Sequence, residues 1–226
     1  MMLKRIIIGC FLILWVVFTP VFAQKGKVYR ELRGLGYLSY VDQEMQKEVK
    51  RVVKEKYSES KGFASALGPN GESIDHRYFV VHPRRWMDFG GPELLLDQVK
   101  AAFRVRGLAF DWRYTIDDTD SDKVIFQVRV NGNEYRIVQG KLNNRHVHLS
   151  NQASFYQMVQ KELVAQGSPD RLYALGKGEE SVFMLLTPAL YTYLMETYYH
   201  DPNIPATEKP WILGTWAEVI GLVRAE

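Results

Sequence analysis

His146-Val147-His148 sets two imidazoles two residues apart, and on a strand that spacing turns both toward one face, where they would begin a zinc or copper site. Such a site needs a third ligand and usually a fourth. His76 and His82 are the other pair able to share a face of a straight strand, but no spacing rule brings the two pairs together. With no cysteine beside them and no glutamate in a helical zinc motif, surface or hydrogen-bonded histidines are the simpler reading, and no metal or other cofactor is called for.

Asp118-Thr119-Asp120-Ser121-Asp122 alternates carboxylates as a calcium loop does. Lys123 then stands where that loop wants glycine, and Arg129 where it wants a bidentate glutamate, so an acidic hairpin tip is the plainer account. Arg84-Arg85-Trp86, preceded by His82, is a cationic and aromatic cluster suited to a carboxylate or phosphate; these three are the candidate ligand- or partner-binding residues, against a structural clamp on carbonyls. Nucleophilic catalysis has little behind it. No Gly-x-Ser-x-Gly elbow occurs, Ser58-Glu59-Ser60-Lys61 meets Ser-x-x-Lys only trivially, and Gly176 and Gly178 lack phosphate-loop spacing. Tyr191, Tyr193, Tyr198, Tyr199, Trp211 and Trp216 gather near the C-terminus, as a recognition surface or as core packing.

The elements that must position these groups are plainest between Leu94 and Gln139. Leu94, Leu95, Val99, Phe103 and Leu108 recur at helical spacing, with Pro92 at the start and Gly107 at the stop. Leu108, Phe110, Trp112 and Tyr114 then alternate with polar residues as a half-buried strand does, and the acidic stretch Asp117 to Asp122 turns the chain. Asn131-Gly132 is a strong two-residue hairpin signal. Closing it sets Val130 against Asn133, Arg129 against Glu134, Val128 against Tyr135, Gln127 against Arg136 and Phe126 against Ile137.

The unit recurs. Phe155, Met158, Val159, Glu162 and Leu163 share a helical face, Gly167 ends it, and Arg171 to Leu175 and Ser181 to Leu186 read as a strand pair about Gly176-Lys177-Gly178. Each unit offers an apolar sheet face and an apolar helix stripe that it cannot hide alone, so the two are expected to share a core. The fold class that follows is α+β: antiparallel sheets packed with helices, built from two helix-strand-strand units.

Upstream, residues 1–23 read as a signal peptide. Lys4 and Arg5 precede an apolar run from Ile6 to Phe18, Thr19-Pro20 closes it, and Val21-Phe22-Ala23 offers a cleavage position before Gln24. That run is too short to span a bilayer, so no stable membrane span remains after cleavage. Cleavage removes the single cysteine, Cys10, and leaves 203 of the 226 residues with 27 basic and 26 acidic side chains. An exported chain without cysteine fits a bacterial periplasm or exterior, and near-neutral charge argues against nucleic acid as partner. Residues 24–70 read as an N-terminal leader, weakly patterned to Tyr40, and a charged surface helix from Val41 to Glu59. In that helix Val41, Met45, Val49, Val52 and Val53 form a narrow stripe, and Glu48 attracts Arg51. Gly68-Pro69-Asn70-Gly71 marks the boundary to an α+β domain over 71–226, where Arg77 to His82 is a strand, Pro188 opens a helix, and Trp211 to Val223 is apolar enough to dock on the core.

Function follows from these absences and surpluses. Missing enzyme motifs beside plentiful charge and aromatics point to a periplasmic or secreted, non-catalytic binding protein for a protein or peptide partner, engaged through a sheet edge, the charged helix or the C-terminal aromatics. The alternative is a periplasmic hydrolase, with or without metal assistance, with His146 and His148 at its site.

Overall fold

Three strands of this chain are apolar on both sides, which is the pattern of a sheet covered on both faces. They are β1 (Tyr78–Val81), β5 (Arg171–Leu175) and β6 (Ser181–Leu186), joined antiparallel in the order β1-β6-β5. The register sets Phe79 beside Phe183 and Phe183 beside Ala174 on one face, and Tyr78 beside Met184 and Met184 beside Tyr173 on the other. The computed structural model describes residues 27–56, 74–81, 91–120, 123–140, 145–175, 181–199, 205–207 and 210–212.

On the first face, Phe79, Val81, Phe183, Leu185, Leu172 and Ala174 meet helix α3 (Gly91–Val105), helix α4 (Arg145–Ala165) and a second antiparallel sheet, β2-β3-β4. That sheet runs β2 (Trp112–Asp120), β3 (Lys123–Val130) and β4 (Asn133–Gly140). Its inner face supplies Phe126, Val128, Val130 and Ile137 to the same cluster, while Arg129, Glu134 and Arg136 are exposed on the other. The predicted shared interior is therefore present: Leu96, Val99 and Phe103 of α3 lie in one cluster with Phe155, Met158, Val159 and Leu163 of α4. Each unit contributes its hairpin to a different sheet. Both helices stop in the same way, with Gly107 and Gly167 each at φ +68° and the following residue donating five back, Leu108 to Phe103 and Ser168 to Leu163.

The second face of β1-β6-β5 is covered by the N-terminal segment, not left to a loose leader. Residues 27–34 form helix α1, 3₁₀ turns follow at Tyr37–Tyr40 and Gln43–Met45, and α2 spans Gln46–Lys56. Val28, Leu32, Tyr37, Val49, Val52 and Val53 are buried there with Tyr78, Met184 and Leu186. Gly36, φ +82°, turns the corner before the first 3₁₀ turn. Helix α5 (Pro188–Thr197) completes this layer, its start capped by Thr187, whose Oγ1 accepts from the Leu190 amide at 3.1 Å. The expected Glu48 and Arg51 pair is formed on α2. The 68–71 boundary, the signal segment and the chain beyond Ile212 lie outside the described residues.

The Asn-Gly hairpin has the expected turn, Asn131 at φ +50° and Gly132 at +92°, and four expected pairs from Val130↔Asn133 to Gln127↔Arg136. The fifth differs. Phe126 stands opposite Val138, because Ile137 is an extra residue in β4, a bulge that keeps Ile137 fully buried. The acidic stretch differs too: β2 continues to Asp120, which pairs with Lys123, so much of the expected turn is strand.

Candidate docking edge

β2 is nine residues long and lies at the end of its sheet, with β3 as its only strand neighbour among the described residues. Which of its backbone groups point away from β3 follows from one bond. The Asn131 amide donates to the Asp111 carbonyl at 2.9 Å, and Asp111 precedes Trp112, whose partner is Val130. In an antiparallel ladder the hydrogen-bonded pairs alternate, so Arg113, Thr115 and Asp117 direct their N–H and C=O at β3. Those of Trp112, Tyr114 and Ile116 point outward. The hairpin gives the same phase, since the closing pair Val130↔Asn133 turns the Val130 groups toward β4 and away from Trp112.

The side chains on this edge are unusual for an edge strand. Tyr114 is 38% and Ile116 53% exposed, although both stand opposite buried residues, Val128 and Phe126. Trp112, Tyr114 and Phe126 stack in series, with centroids 6.0 and 4.9 Å apart. Helix α3 fixes the first two: Trp112 Nε1 donates to Asp97 at 3.2 Å, and a bond to Glu93 holds the Tyr114 phenol above its usual range. Between those acids Leu94 is 68% exposed. Free edges are commonly blunted by lysine, proline or a short strand; from Trp112 to Ile116 this edge has neither residue, and it presents a rigid aromatic and aliphatic ladder.

A second polar group ties the layers together. Asp75 and Arg77 are fully buried, Arg77 Nε donating to both Asp75 oxygens at 2.8 Å. The guanidinium carbon lies 3.9 Å from the Tyr37 ring centroid and 5.5 Å from that of Tyr40. Tyr40 donates to Asp170 at 2.6 Å, and Arg106 reaches the same carboxylate oxygen at 2.8 Å. Burial works to lower the Arg77 pKa, but Asp75, then Tyr37 and Tyr78, hold it above the usual range and charged. Burial foremost, then Asp170, pushes the Tyr40 phenol far up, and burial, then Tyr37, does so for Tyr78. These contacts join the N-terminal segment to β1 and β5, and aromatic rings rather than an open cleft face the guanidinium.

Glu162 of α4 is the third. Its buried carboxylate accepts from Asn131 Nδ2 at 2.8 Å, Asn133 Nδ2 at 2.9 Å and the Tyr135 hydroxyl at 2.6 Å, pinning the Asn-Gly hairpin.

The residues singled out for chemistry fall elsewhere. Arg84, Arg85 and Trp86 lie outside the described residues, as do His82, Ser58 to Lys61, Gly176 and Gly178. His146 and His148 lie at the start of α4, where residues two apart are separated by about 200° around the axis, so the one-face premise of a strand does not hold. His76 meets Asp42 at 2.8 Å. No group of three metal-ligating side chains occurs among the described residues. Of the C-terminal aromatics, Tyr198 and Trp211 are buried, Tyr191 stacks on Tyr173 at 4.2 Å, Tyr193 donates to Glu31 at 2.8 Å, and Tyr199 is exposed; Trp216 lies outside the described residues. Packing accounts for most of them. Among the described residues no helix is long and apolar enough to cross a membrane. No protein-family model, curated protein or solved structure matches this chain.

Proposed function

We propose that this is an exported, non-catalytic binding protein of the bacterial envelope or exterior that takes an extended strand of a protein partner along β2. The observation that carries the reading is the edge itself, which no other strand of the described residues pairs: outward backbone groups at Trp112, Tyr114 and Ile116, in register with exposed Tyr114 and Ile116 side chains. In strand addition, main-chain bonds supply affinity and alternate side chains supply selectivity. Export rests on the basic start, apolar run and cleavage position within residues 1–23, and on the lack of cysteine thereafter.

Ile116→Pro tests the docking mode, because it removes one outward N–H and no bond to β3, while Ile116→Thr keeps the N–H and trims the side chain. Capture from an envelope extract by immobilised protein is expected to recover a stoichiometric partner with the wild type and Ile116→Thr, and to lose it with Ile116→Pro. Equal capture by all three, or by none, contradicts the reading.

A further inference from the structure

Resting on the reading of β2 as a docking edge, we infer that the strand it accepts is β2 of a second copy, pairing antiparallel about a two-fold axis at Thr115. The central residues of β2, Arg113 to Asp117, are self-complementary in that register. Tyr114 of each chain meets Ile116 of the other, Arg113 meets Asp117, and Thr115 meets its own twin.

The backbone phase fits the same register. Because Tyr114 and Ile116 carry the outward groups, the two Tyr114 to Ile116 pairs exchange main-chain bonds. The Thr115 and Arg113 to Asp117 pairs then occupy the non-bonded sites, where opposed Cα atoms come closer, to about 4.5 Å, and opposite charges interact best. Charge within one chain leaves this arrangement open. Arg113 stands opposite Arg129 on β3, and Arg129 is ion-paired with Glu134 on β4, so the ladder gives Arg113 a like charge where the dimer gives it an acid. Shifting the axis by one residue sets Thr115 against Asp117 or Arg113 against Thr115, and either loses both charge pairs. The result is a continuous six-stranded sheet whose inner face runs from one chain's Phe126 through the joined Tyr114 and Ile116 ladders to its twin.

Light scattering on the purified exported chain tests this. The wild type is expected at twice the single-chain mass. Arg113→Glu and Asp117→Arg, each shown folded by circular dichroism, are expected at the single-chain mass, because each sets like charges together twice. Mixing the two variants in equal amounts restores the doubled mass as a heterodimer, and the double variant restores it alone. A wild type at single-chain mass up to millimolar concentration, single variants that stay dimeric, or a mixture that stays monomeric each overturns the inference. If the wild type is monomeric yet captures a different chain in an Ile116→Pro-sensitive way, the dimer falls and the docking edge stands; if capture fails as well, both fall.

Discussion

Two adjacent prolines on β2 should cost the fold very different amounts. Thr115→Pro deletes an N–H that bonds toward Gln127 on β3, and leaves a β3 carbonyl without its donor. A lost ladder bond with an unsatisfied partner costs roughly 1–3 kcal/mol, and the ring adds strain against the paired strand, so a total of about 3 kcal/mol is expected. Ile116→Pro deletes an outward N–H instead. Its side chain is already 53% exposed, so the loss should stay near 1 kcal/mol. Urea denaturation of both variants against the wild type, at a concentration too low for association, measures the difference. A smaller loss for Thr115→Pro than for Ile116→Pro would falsify the ladder phase, and with it the assignment of outward groups to Trp112, Tyr114 and Ile116.

Other perturbations probe the joints that hold the edge in place. Glu162→Ala removes the acceptor of three bonds from the Asn-Gly hairpin; since two come from exposed asparagines that water can satisfy, a loss of about 2–3 kcal/mol is expected by thermal or chemical denaturation. Asp75→Ala strands the buried Arg77 and should cost about 3–5 kcal/mol, whereas replacing both by apolar residues should cost much less; equal losses would deny a coupled pair. The folded chain keeps the Tyr40 and Tyr78 phenols protonated far above the ordinary phenol value of 10.0. The unfolded chain then releases these protons first, so stability is complete below about pH 10 and falls above it. Two buried phenols give a slope of roughly 3 kcal/mol per pH unit, readable as a falling urea midpoint together with late tyrosinate absorbance. A flat profile from about pH 9 to about pH 11 contradicts that account.

Much of the architecture was legible because α3, β3 and β4 each bury one face and expose the other. The β3 and β4 register could be counted from Asn131-Gly132, and it failed at one place, where Ile137 is inserted so that it stays inside while Val138 opposes Phe126. Nothing in an alternating pattern marks a bulge. The start of α4 was hidden by Gln152, a buried polar residue that contacts the Val81 carbonyl at 3.5 Å and interrupts the apolar stripe, so His146 to His148 looked like strand. The N-terminal helix is short and contains Gly34, which masks it; the spacing of Val28, Tyr29 and Leu32 carries its signal. For the candidate site, alternation predicted a half-buried strand from Leu108 to Tyr114, of which Trp112 to Tyr114 are strand, while Leu108 to Asp111 are not and β2 runs on to Asp120. That Tyr114 and Ile116 remain open depends on β2 being an edge, which is a fact of strand order and not of any local pattern. Asp75, Arg77 and Asp170 are joined across 95 residues of chain, a distance over which spacing rules say nothing.

Residue-resolved amide exchange across a concentration series addresses the docking edge most directly. At low concentration the Arg113 and Thr115 amides should exchange slowly and those of Tyr114 and Ile116 fast, and on association the second pair alone should slow. Tyr114 and Ile116 amides that are already protected in the single chain, or that stay fast when the mass doubles, would contradict strand addition along β2.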